Sequence, residues 1–272
     1  MEISHTYGFH ENEIPGYEDA LRAIGIEYRV RANLVSIKVN ECDPRWEQVE
    51  HWVEDKKPLR GVETYFDIEE VLSAEWVRLL PGFEQGYPQP AEDMAWRDIT
   101  LENVCPDCGA GYRQKAPFRL LKEPRMGKYD FLSPTWTYTF LGTPKIIKAL
   151  GACGLRGYQV WPAMIHRSDT PSKVVSQLVF PHVAGPGLAA EHKLRPETCP
   201  SCGITKYAYH RRGYMRVQRE ALTSEVDVQQ THEWFGSGRG DAWREVLISG
   251  KFARLILEEG WLGVWLKPVE LM

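Results

Sequence analysis

The chain has 272 residues, 43% hydrophobic and 26% charged, with six cysteines and a net charge of −4. That profile is globular, with room for one or two cored domains, and six cysteines are too few for a secreted disulfide scaffold. No apolar run nears the ~20 residues of a membrane span, and the polar, acidic opening MEISHTYGFHENE lacks the basic-then-apolar order of a signal peptide, so a cytoplasmic location is expected. Charge is uneven: residues 1–100 carry 10 Lys/Arg against 21 Asp/Glu, and the remainder carries 23 against 16.

Along the chain, His5, His10, Glu11 and Glu13 offer metal or proton-shuttle chemistry, but a solvated chain end accounts for the same residues. EYRVRANLVSIKVN (27–40) alternates polar and apolar residues as a half-buried strand or hairpin does. DPRWEQVEHWVED (43–55) sets Trp46, Val49, Trp52 and Val53 on one helical face, with Asp43 as N-cap and Pro44 in the first turn. FDIEEVLSAEWVRLLPG (66–82) reads as a second amphipathic helix, stopped by Pro81 and Gly82. GFEQGYPQPAED (82–93) is rich in glycine and proline without a period, which places a linker there. The expected fold class is therefore α+β: an acidic α/β region over 1–98 and a second region over 99–272.

In the second region TWTYTFL (135–141), GYQVWPAMI (157–165), KVVSQLVF (173–180) and VWLKPVEL (264–271) are the clearest strands. Residues 143–162 also align without a gap on 249–268 at a constant offset of 106, pairing Lys145 with Lys251, Gly154 with Gly260, Gly157 with Gly263 and Pro162 with Pro268. Each copy reads as a helix capped by Thr143 or Ser249, ended by a glycine of positive φ and followed by a strand, and the order of elements points to duplication.

Two sequences, VCPDCGAGY (104–112) and TCPSCGITKY (198–207), repeat Cys-Pro-x-Cys-Gly. Two intervening residues let both thiolates face one ion from a tight turn, and the glycine tolerates the positive φ of that turn. Cys105, Cys108, Cys199 and Cys202 thus make a tetrahedral set for one structural Zn2+ ion, whose closed coordination leaves no position for catalysis. A redox pair needs a following helix to lower one thiol's pKa, and neither pair has one; free thiols are the third reading. Cys42 and Cys153 are expected as small buried hydrophobes.

No GxSxG, HExxH or GxxxxGK[ST] pattern occurs, and FGSGRGDAW (235–243) reads as a loop. TKYAYHRRGYMRVQR (205–219) interleaves Lys206, Arg211, Arg212, Arg216 and Arg219 with tyrosines, which suits a zinc-ribbon nucleic-acid binder; the wet face of a strand gives the same letters. Glu47, Glu50, Glu54, Asp55, Glu63, Asp67, Glu69 and Glu70 present a negative field to a basic partner, or form the solvent face of two helices.

The order CPxCG, PTWTYTFLGTPKIIKALGACGLRGYQVWP, KVVSQLVF, CPxCG, VLISGKFARLILEEGWLGVWLKP resembles the double-CxxCG-motif paralogous family of myxobacteria over about residues 99–272. The resemblance implies an immunity protein that binds and neutralises a cognate toxin without catalysis, and only the four cysteines carry over by position. An acidic front suits a basic, nuclease-like toxin domain.

Overall fold

Residues 1–188, 194–238 and 242–272 are described by the computed structural model. The fold is α+β and divides into two units, Met1–Asp67 with Arg211–Gly213, and Ile68–His210 with Tyr214–Met272. Among the described residues no helix is long and apolar enough to cross a membrane.

The first unit runs β1 (Glu2–His10), α1 (Tyr17–Ile24), β2 (Tyr28–Arg31), β3 (Leu34–Asn40), α2 (Trp46–Val53) and β4 (Leu59–Tyr65). Its sheet has the order β2-β3-β1-β4 and is antiparallel throughout. Val35, Ile37 and Val39 alternate onto one face of β3 and pack with Tyr17 and Leu21 of α1 and Val49 and Val53 of α2, so strand and helix periods meet in one core. Gly25, at φ +77°, ends α1 by donating its N–H back to Arg22 and Leu21. The tripeptide Arg211–Gly213 joins this unit because the Thr64 hydroxyl bridges the Arg211 carbonyl (2.9 Å) and the Gly213 N–H (2.8 Å).

Several expectations change here. The N-terminal stretch is the central strand β1, with Tyr7 and Phe9 buried. His5 pairs with Glu41 at 2.7 Å, so it is no solvated end. Helix α2 is preceded by Arg45, not Asp43, as N-cap, while the Asp43 carboxylate accepts from the Arg45 N–H at 2.9 Å. Cys42 is exposed, not a buried hydrophobe.

The second unit begins with α3 (Ile68–Ser73), β5 (Trp76–Pro81), α4 (Trp96–Thr100), β6 (Leu101–Glu102), β7 (Arg113–Gln114), β8 (Arg119–Leu120), β9 (Phe131–Leu132) and β10 (Phe140–Gly142). It continues through α5 (Pro144–Ala152), β11 (Gln159–Ile165), β12 (Thr170–Val179), β13 (Pro196–Thr198), β14 (Thr205–Tyr207), β15 (Met215–Val217), β16 (Val228–Gln230), β17 (Trp234–Phe235), β18 (Val246–Ser249), α6 (Gly250–Glu258) and β19 (Val264–Leu271). The expected single helix over 66–82 is instead a short helix and a strand, and the boundary between units lies at Asp67/Ile68 rather than at 98. Strand β5 pairs on both sides, with β18 and β19, which binds residues 68–98 to the second unit. The expected linker is stitched to the same unit: Gly82 and Phe83 donate to the Gly263 carbonyl, Gln85 to Ser133 and Gln89 to Arg119.

Two five-stranded sheets of this unit share one plan. The first has the order β8-β11-β12-β10-β9 and the second β15-β19-β5-β18-β16. In each the first pair is parallel and the other three antiparallel. Register agrees as well: Leu141 and Trp161 flank Gln177, while Leu247 and Lys267, each 106 residues later, flank Arg78. In the first half the middle strand, β12, follows β11 directly; in the second that place is taken by β5 from far upstream.

The two halves also clasp each other reciprocally. Asp130 accepts from the Leu262 N–H with its carboxylate and from the Thr143 N–H with its carbonyl, and Asp227 does the same for Arg156 and Ser249. Gly157 (φ +98°) and Gly263 (φ +107°) sit where a Cβ would lie 2.6 Å from the Val228 carbonyl oxygen and 2.2 Å from that of Phe131. Only glycine allows that approach. Ser249 caps α6 through its hydroxyl, as expected, whereas Thr143 has the N-cap backbone geometry without a side-chain cap bond.

Candidate metal centre

Each cysteine pair sits in a hairpin turn. Strands β6 and β7 frame the first, and β13 and β14 frame the second. The Gly109 and Gly203 N–H groups donate to the Cys105 and Cys199 carbonyls at 2.8 and 2.9 Å, and the Cys105 and Cys199 N–H groups donate to Ala110 and Ile204. Both glycines have positive φ, +75° and +73°, the conformation that turns the second thiol back toward the first.

The two turns face each other, and the four Sγ atoms lie within 4.8 Å of one another. Cys105 and Cys199 are 3.9 Å apart, and Cys108 and Cys202 are 3.6 Å apart. A tetrahedron of sulfurs about 2.3 Å from a central ion has edges of about 3.8 Å, so the set can hold one metal ion. All four cysteines are free of disulfides. Beside them, Asp107 and Ser201, at matching places in the two turns, are joined by a hydrogen bond from the serine hydroxyl to the carboxylate. Trp234, Ala110 and Ile204 pack around Cys105, Cys108 and Cys199, while Cys202 lies at the exposed edge.

Four thiols do not ionise together in such a place without a cation. Burial pushes the Cys108 thiol up to about 12, whereas backbone N–H groups, that of Cys202 first, pull Cys199 down to about 7. Positive charge is supplied by Lys206, 1% exposed, whose ammonium donates to the carbonyls of Cys108 (3.0 Å) and Gly238 (2.8 Å). Sequence pattern does not mark this lysine as part of the site beyond its place seven residues past Cys199, on the strand leaving the turn.

Of the basic stretch assigned to nucleic acid, Lys206 is buried and the four arginines are exposed. Burial of Lys206 takes it off any nucleic-acid surface. At the surface Arg212 pairs with Glu41 (2.9 Å), Arg216 with Glu270 (2.6 Å) and Arg219 with Glu75 (2.7 Å). The acidic set falls on both units. In the first, Glu47, Glu50 and Glu54 of α2 and its end line one hollow with Trp46, His51 and Arg60, and Glu50 accepts from Tyr7 and Arg60. Glu63 is half-buried, and Asp55 and Asp67 are exposed. In the second, Glu69 is exposed and Glu70 accepts from the Tyr214 hydroxyl at 2.8 Å. His10, Glu11 and Glu13 form a turn in which the Glu13 carboxylate accepts from the His10 N–H. Of the loop 235–243, residues 239–241 lie outside the described residues. The chain matches no family model and no curated protein.

Proposed function

We propose that the protein is a non-catalytic immunity protein that binds and neutralises a cognate toxin and is held in shape by one structural zinc ion. The observation that carries this reading is the closed four-thiolate set, drawn two and two from CPxCG turns that stand before matching strand–helix–glycine–strand units. Soft thiolates in tetrahedral array favour zinc, and four of them leave no open position for a reacting water. The common plan of the two sheets supports a duplicated ancestral unit, and motif order over 99–272 supports the likeness to the double-CxxCG family of immunity proteins.

The toxin-facing surface on this reading includes the acidic hollow of α2, where Glu47, Glu50 and Glu54 stand on one helical face. A basic, nuclease-like toxin domain is the complementary partner, and charge of this kind acts chiefly on encounter rate and specificity. Co-expression with the toxin encoded beside the gene tests the proposal. Rescue of growth and a co-eluting complex are expected, with Glu47→Lys and Glu54→Lys slowing association; failure of both rescue and co-elution overturns it. The zinc-ribbon nucleic-acid reading receives less support, because its lysine is buried and three of its arginines face carboxylates.

A further inference from the structure

A cleft of about 430 Å3 opens within the second unit between the segments 136–140 and 242–246. These segments hold equivalent places in the two halves, so the cleft lies where the shared plan meets itself, and it exists because the halves differ there. Arg78 and Glu245 form a fully buried pair at 3.0 Å in the second half. Their counterparts by register, Gln177 and Thr139, are shorter and line the cleft instead. The Gln177 amide is spent on Gln114 and on the Phe118 N–H, which fixes the floor.

The walls are aromatic. Tyr138 stacks on Trp243 with centroids 4.2 Å apart and planes 5° from parallel. Trp136, 68% exposed at the mouth, is braced edge-on by Tyr87. Trp136 and Tyr138 both have positive φ, +66° and +48°, a backbone cost that bulky residues bear where the surroundings over-determine it, often at ligand sites. Two cations complete the lining: Arg97 lies over Trp96, and Arg244 is held by the carbonyls of Thr231 and His232 at 2.7 Å. Among the described lining residues there is no carboxylate.

From this combination we infer that the cleft binds a nucleoside monophosphate, free or as one unit of a single strand. Ring faces accept the base by stacking, and guanidinium groups meet the phosphate with paired N–H donors. The volume falls within the range of small-ligand pockets. Neither the toxin reading nor the basic stretch at 205–219 is needed for it.

Calorimetry and tryptophan fluorescence on the full, metal-loaded chain test it with uridine and adenosine 5′-monophosphates, uridine, ribose 5-phosphate and a short oligonucleotide. The monophosphates are expected to bind, with uridine and ribose 5-phosphate each weaker by about tenfold or more. Trp136→Ala is expected to weaken binding at least as much without changing melting temperature or metal content, Arg97→Gln to weaken it as much, and Trp136→Phe to retain it. An oligonucleotide that binds much more tightly than the monophosphates assigns the strand as the source; equal binding assigns the free nucleotide. No binding at millimolar concentration, equal binding of uridine and its monophosphate, or binding that Trp136→Ala and Arg97→Gln leave unchanged overturns the inference.

Discussion

The two halves of the second unit share strand order, strand direction and the placement of helix and glycine, yet one register position separates them chemically. In the second half Arg78 and Glu245 fill the space behind the middle strand with a buried ion pair, to which His210 contributes its carbonyl at 3.2 Å. In the first half Gln177 and Thr139 leave that space open. Backbone plan and side-chain content are thus separable: hydrogen-bond ladders and glycine contacts fix the plan, and what stands at the middle of the sheet decides between a sealed core and a cleft. What the halves hold in common is the thiol cluster, two sulfurs from each.

Removing the common element has the largest expected effect. Cys199→Ser, or treatment with a chelator, is expected to abolish cooperative melting of the second unit, because metal binding free energies of about 10–16 kcal/mol in zinc-finger peptides are folding free energy. Metal loading also releases thiol protons, so affinity falls as pH falls; calorimetry in buffers of different ionisation enthalpy counts them. A second unit that melts unchanged without metal breaks the comparison at its centre.

Breaking the difference comes next. Glu245→Ala leaves the Arg78 guanidinium buried without its carboxylate and is expected to cost about 3–5 kcal/mol. Gln177→Ala removes only neutral hydrogen bonds and is expected to cost about 1–3 kcal/mol, both read by denaturant unfolding. Similar costs at the two positions contradict the contrast drawn between the halves.

The reciprocal clasp predicts matched effects. Gly263→Ala and Gly157→Ala each drive a Cβ onto the other half's backbone at positive φ, and each is expected to destabilise by more than about 1 kcal/mol. The smallest effect belongs to the caps: Ser249→Ala loses a hydroxyl bond to the Phe252 N–H and is expected to cost about 1 kcal/mol, while Thr143→Ala, with no such bond, loses less.

Local signals made part of this legible. The thiol turns could be read because spacing, proline and glycine all act within five residues, and α5 and α6 because their apolar period ends on glycines of positive φ. Strand β5 reads as helix from its sequence because WVRLL is buried on both faces and so lacks the alternation that marks a strand. The stretch TWTYT mimics alternation, but positive φ at Trp136 and Tyr138 takes it out of the strand until Phe140. Strand β1 hid its period behind serine, threonine and histidine. Lys206, Arg78 and Gln177 draw their roles from residues distant in sequence, which no local pattern records.

X-ray absorption with metal counting on protein purified without chelator tests the central claim most directly. One zinc per chain, surrounded by four sulfurs at about 2.3 Å, is the expected result. A metal-free chain with four titratable thiols, two ions per chain, or a shell containing nitrogen or oxygen would contradict a single four-thiolate clamp between the halves.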